Sequence, residues 1–221
     1  MHRGEFGKLR SNGVLRNLDY ARVVQLGWCA FAANGDVLDR QELCVCDAPP
    51  CQQQAIDVHG LTDVILAERG MPVTVVLRRF TVALQRLRRD GGLLVTHLLE
   101  NDGGLLVREY RRIGADEDAR LLEGLARAGV CTLQAAAAQQ EGDTTSRTEA
   151  QLRSPGFGCK WYIDLATACR MYGVPKPAES DEYHPHRAHF DAELAGRLYF
   201  AMRGICYRVP VKRVLRRLRG P

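Results

Sequence analysis

No stretch of the 221-residue chain comes near the ~20 consecutive apolar residues that a membrane-spanning helix requires, which sets aside the helical membrane proteins. The first residues carry Arg3, Lys8, Arg10 and Arg16 but lack an apolar core ahead of a small-residue cleavage site. No secretory signal is therefore read, and Glu5 and Asp19 count against a transit peptide. Compositional extremes are missing too: 46% hydrophobic and 26% charged residues are ordinary globular usage, which sets aside wholesale disorder. There is no internal repeat. Nor is there a large excess of one charge, because 31 Lys plus Arg against 26 Asp plus Glu leave +5, too little to name a partner by itself. Cysteine is the one residue not in short supply. Its eight copies, in a chain without a readable signal and long enough to bury a core, are expected to be reduced intracellular thiols, in nucleus or cytoplasm. Cys44, Cys46 and Cys51 form a C-x-C-x4-C run without a fourth zinc ligand at the usual spacing, and are expected to be two strand residues and a loop residue.

Single cores grow to about 250 residues before chains split, so one domain is expected over residues 1–207. Within it residues 1–13 are atypical, and residues 142–158, polar and bearing Ser, Thr, Gly and Pro, are expected to be a mobile insertion. Residues 208–221 form a basic tail. Arginine dominates the positive residues, in runs such as Arg86 to Arg89, Arg111-Arg112 and Lys212 to Arg219. Its forked guanidinium suits phosphate, although solvated helix faces produce the same runs.

Periodicity supplies the elements. Val23 to Phe31 and Val37 to Cys46 are strand-like and flank the turn signal Asn34-Gly35-Asp36, which predicts a hairpin. A loop is expected from Ala48-Pro49-Pro50 through Thr62. Apolar residues at Val76, Leu77, Phe80, Ala83, Leu84 and Leu87 predict an amphipathic helix over 73–88, with Arg78, Arg79, Gln85 and Arg86 opposite. Short strands are expected at 93–96 and 129–133. Helices are expected at 104–113, at 116–128 with a cap at Asp116, at 134–140, at 160–172, and at 187–207 ending before Pro210. A hairpin followed by alternating strands and helices predicts an α/β fold with a mixed sheet flanked by helices.

The sharpest motif is His186-Arg187-Ala188-His189-Phe190-Asp191-Ala192, a histidine five positions ahead of an aspartate at the start of the last helix. It resembles the third motif of the DEDDh family, the DnaQ-like and RNase T-like 3′ to 5′ exonucleases. Other landmarks follow in the family's order. Arg22 to Gly27 looks like the second strand, and Ile56 to Thr62 the loop before the first amphipathic helix. His97 through Asp102 is similar to the second motif, with Leu98 in place of its asparagine and Asn101 in place of its phenylalanine. The resemblance spans about Arg22 to Met202 and implies a ribonuclease H-like fold.

It further implies a reaction. Two divalent ions, Mg²⁺ or Mn²⁺, held by four carboxylates about 3.5 to 4 Å apart clamp a phosphodiester, one activating water and the other stabilising the leaving oxygen. A histidine of near-neutral pKa takes the water's proton. By this resemblance His186 is the base, and Asp102 and Asp191 are metal ligands. The partner implied is the single-stranded 3′ end of DNA or RNA, not a membrane. His97 and Arg187 fall among the nucleic-acid-binding positions, and Trp161 is placed to stack on a terminal base. The alternatives for His97 and Trp161 are a hydrogen-bonded core histidine and a core aromatic.

The first motif, Asp-x-Glu-Thr-Thr-Gly, departs most. Aligned on Gly13, Lys8 stands for the aspartate and Arg10 for the glutamate. Like charges ~4 Å apart at an effective dielectric near 20 repel by about 4 kcal/mol, so these cations oppose a bound ion. Three outcomes stand open. The site has lost its metals and grips phosphate through Lys8 and Arg10; residues 1–13 are not homologous; or a working enzyme recruits Glu5. A structural subunit docking through its basic tail is a further alternative.

Overall fold

The computed structural model describes residues 21–142, 163–175 and 187–204, with side chains described outside 138–142. Lys8, Arg10, Trp161, His186, the 143–158 stretch, Pro210 and the tail lie outside them. The chain is α/β. Strands β1 (Gln25–Phe31) and β2 (Val37–Cys44) form the predicted antiparallel hairpin, with Gln25 opposite Cys44 and Trp28 opposite Gln41. The turn closes because Gly35 takes φ +88° and Asp36 donates its N–H to the Asn34 side chain.

A short helix, α1 (Gln53–His59), interrupts the expected 48–62 loop, and a second, α2 (Asp63–Arg69), follows it. The Gly60-Leu61-Thr62 segment is their junction. Gly60 ends α1 in the left-handed region, and Thr62 Oγ1 accepts from the Ile65 N–H at 3.3 Å to start α2. α1 buries no residue, so no apolar periodicity announced it. Helix α3 (Val73–Arg89) follows the prediction, burying Val73, Val76, Leu77, Phe80 and Leu84.

Strand β3 (Val95–Thr96) leads into α4 (Leu99–Arg112), which begins five residues earlier than expected. Gly103-Gly104 hides the helix from local reading, while burial of Leu99, Leu106, Val107 and Tyr110 enforces it. The cap of α5 (Asp116–Arg127) is Ala115, without a side-chain bond, and Asp116 sits in the first turn instead. Strand β4 (Val130–Cys131) pairs with β3 in parallel, and α6 (Thr132–Gly142) follows directly. Helix α7 (Leu165–Met171) begins later than the expected residue 160 because Asp164 caps it, accepting from the Thr167 N–H at 2.8 Å. Helix α8 (Ala188–Met202) stops before the expected 207, where Gly204 turns left-handed at φ +68°.

Among the described residues the strands form two separate two-stranded sheets, β1-β2 and β3-β4, rather than one mixed sheet. One core joins the hairpin to α3, α4 and α5; a second lies among α6, α7 and α8. Helix α8 bridges the two sheets by lying against both β1 and β3. It approaches β1 so closely that a Cβ on Gly27 would stand 2.3 Å from the backbone of Ala188, and one on Gly196 would stand 2.2 Å from the Phe31 ring. No described helix is long and apolar enough to cross a membrane.

Candidate functional site

The two expected metal ligands are 89 positions apart in sequence and come from different helices. Asp102 lies in the first turn of α4, and Asp191 in the first turn of α8. Strand β3 ties down the first of them, since Thr96 Oγ1 donates to Asp102 Oδ2 at 2.9 Å and accepts from the Leu98 N–H at 3.0 Å, and α8, which carries the second, packs on β3. Asp102 is solvent-exposed by surface area, although neighbouring protein atoms surround its carboxyl group closely enough to strip part of its hydration. That desolvation raises its carboxyl pKa, the Thr96 hydroxyl opposes the rise, and the negative charge of Asp191 adds to it. Nearby, Glu100 Oε2 and Asn101 Oδ1 are buried without a hydrogen-bond donor among the described residues.

The two carboxylates are fewer oxygen ligands than a pair of hard ions takes. Hard ions of this kind are held through several oxygen ligands, and among the described residues no third His, Cys, Asp or Glu joins Asp102 and Asp191. The two other positions implied by the resemblance carry the cations Lys8 and Arg10.

His97 corrects the expectation of a nucleic-acid contact. Its ring is buried, Nδ1 bonds Thr132 Oγ1 at 3.0 Å and Nε2 bonds the Ile163 carbonyl at 2.7 Å. Both nitrogens are committed to tying β3 to the start of α6 and to the segment before α7, the core-histidine alternative. Desolvation lowers its pKa, with the Ile163 bond opposing.

Arg187 is also engaged within the chain. Its Nε and Nη2 donate to Glu42 Oε1 at 2.9 and 2.6 Å, and 38% of the side chain stays exposed. It belongs to a charged seam that the sequence reading missed. Glu42 holds Arg187 and His189, Glu193 holds Arg40 and Arg197, and Gln25 Oε1 accepts the Ala188 N–H at 3.0 Å. Gln25 thereby satisfies an orphan donor at the start of α8 that the Arg187 cap position leaves open. Only the i, i+4 spacing of Glu193 and Arg197 was available as a local signal. The seam fixes the first turn of α8, and with it Asp191, on the hairpin.

The six described cysteines behave as structural thiols. Cys29, Cys44, Cys46, Cys51, Cys131 and Cys169 are free, and burial pushes Cys29 and Cys169 up to about 11, so neither is a thiolate at neutral pH. Comparison of the chain with protein-family models, curated proteins and solved structures gives no match. The functional reading therefore rests on residues and geometry.

Proposed function

We propose that this chain is a nucleic-acid-binding protein of the 3′ to 5′ DEDDh exonuclease type, on the ribonuclease H-like form of the α/β class, with hydrolysis weakened or lost. The observation that carries the reading is that Asp102 of α4, bonded to β3 through Thr96, and Asp191 of α8, the helix packed on β3, lie within electrostatic reach of one another. Those are the two positions that the second and third motifs single out, and the hairpin, α3, β3 and α8 follow in the family's order.

Lys8 and Arg10 give this reading its direction. With cations where two carboxylates are expected, the cleft suits a phosphate gripped by charge-assisted hydrogen bonds rather than one clamped between ions. Mg²⁺ or Mn²⁺ belongs to the alternative, an active exonuclease with His186 as base. Binding by charge alone predicts affinity that falls with salt and ignores chelators.

The test compares wild type, His186→Ala and Lys8→Glu/Arg10→Glu on labelled single-stranded DNA and RNA, with Mg²⁺, with Mn²⁺ and with EDTA. The expected result is binding unaffected by EDTA, weakened about tenfold or more by the double charge reversal, and no shortening beyond that of His186→Ala. Metal-dependent shortening that His186→Ala abolishes establishes the active enzyme instead. Affinity indifferent to salt defeats the nucleic-acid reading.

A further inference from the structure

We propose that the solvent face of α3 is a second, sequence-independent contact for the sugar-phosphate backbone of a nucleic acid, separate from the carboxylate pair. The seventeen residues of α3 include Arg78, Arg79, Arg86, Arg88 and Arg89, all exposed, and no aspartate or glutamate. No i, i+4 ion pair can form within such a helix. Among the described residues Arg78, Arg79 and Arg86 have no ion pair at all, whereas Arg89 meets Asp90 at 3.0 Å. Arg88 and Arg89 also share a concavity with Glu117 and Asp118 of α5, so the uncompensated charge lies on Arg78, Arg79 and Arg86.

These three form one patch. At about 100° per residue they fall within an arc of roughly 100°, and Arg78 and Arg86 stand about 12 Å apart along the axis. A nucleic-acid strand rises about 3.4 Å per phosphate, so the patch spans three or four phosphates. The face is rigid, because Val73, Val76, Leu77, Phe80 and Leu84 anchor the opposite side in the core. The helix macrodipole accounts for basic residues in the last turn only, and Arg78 and Arg79 are too far from that end for it to explain them.

The surrounding chemistry selects the partner. A membrane-surface helix needs a free apolar face to insert, and that face of α3 is already buried, leaving Val82, 45% exposed, among the arginines. Protein interfaces concentrate aromatic anchors at their centre, and the exposed face of α3 has none. Guanidinium forks without aromatics suit phosphate oxygens rather than bases.

The inference shares its ligand class with the function proposed above, but no residue. Fluorescence anisotropy with short labelled single strands and duplexes, between about 50 and 200 mM salt, tests it on the full chain. Arg78→Gln/Arg79→Gln/Arg86→Gln should flatten the slope of log K against log salt by about 2 to 3 and weaken binding about tenfold or more at the low-salt end. The glutamate triple variant should bind more weakly still; if it fails to fold by circular dichroism, the glutamine variant decides. A glutamine variant that folds and binds with the wild-type slope overturns the proposal, as does a wild type that binds phosphatidylserine vesicles but no nucleic acid, or neither. Loss of binding in Lys8→Glu/Arg10→Glu with no effect on α3 supports the cleft alone, and the reverse supports this face alone.

Discussion

Single residues at the candidate site carry costs that folding alone would not select. Desolvation, with the negative charge of Asp191 adding to it and the Thr96 hydroxyl opposing, raises the carboxyl pKa of Asp102 in the folded chain. A carboxyl raised above its unfolded value adds stability only at acid pH and loses it as pH rises through the folded value, so ionised Asp102 is a net cost at neutrality. Asp102→Asn keeps an acceptor for Thr96 and removes the charge. Its thermal midpoint at pH 7 is expected to exceed wild type, with the gap closing below about pH 4. A lower midpoint at pH 7 would show that the charged bond to Thr96 outweighs the repulsion. Glu109 makes the contrast: fully buried, it holds Arg22 at 2.8 Å and Arg112 at 2.6 Å and accepts the Val23 N–H, a structural ion cluster where α4 meets the start of the hairpin.

At the scale of elements, the decisive contact is α8 on β1. Gly27 and Gly196 remove the two side chains that would hold the helix off the strand, and the charged seam of Glu42, Arg40 and Glu193 locks the register. A methyl at Gly27 meets backbone, which cannot swing aside. Gly27→Ala is therefore expected to cost about 1–3 kcal/mol in urea unfolding. Gly196→Ala meets the end of an aromatic side chain, so its cost should be smaller and should shrink further in a Phe31→Leu background. Equal costs for both glycines, with no coupling to Phe31, would count against this packing account. Because the same contact positions Asp191, Gly27→Ala should also disturb whatever the carboxylate pair binds.

For the whole molecule, His97 is the joint between the two halves. It links β3 to α6 and to the Ile163 carbonyl ahead of α7, while α8 lies against both sheets. Burial lowers its pKa, so the unfolded chain binds the proton more tightly than the folded one. Its contribution to stability is present above the unfolded value near 6.5 and is lost as pH falls from there towards the lowered folded value. The unfolding free energy of wild type in urea titrations should drop between pH 7.5 and 5.5, by no more than about 1.4 kcal/mol per pH unit from this residue. His97→Gln should show a flatter profile, and parallel profiles would remove His97 from the acid response.

Local sequence determined the elements whose signals are local. The Asn34-Gly35-Asp36 turn set the hairpin, and the three-and-four spacing from Val76 to Leu87 set α3 and turned its arginines to solvent. Where local signals conflicted or were absent, in α1 without a buried residue and in α4 with its paired glycines, boundaries moved or helices went unseen. The candidate site was legible in part, since Asp102 and Asp191 were singled out by motif position, but His97 and Arg187 took structural partners that no spacing encodes. Only the tertiary structure decided that Asp102 and Asp191 lie within electrostatic reach, that Glu42 engages Arg187, and that Gln25 serves α8. The physical reason is distance along the chain: periodicity reports which face of an element is apolar, whereas charge pairing and desolvation depend on neighbours that only folding brings together.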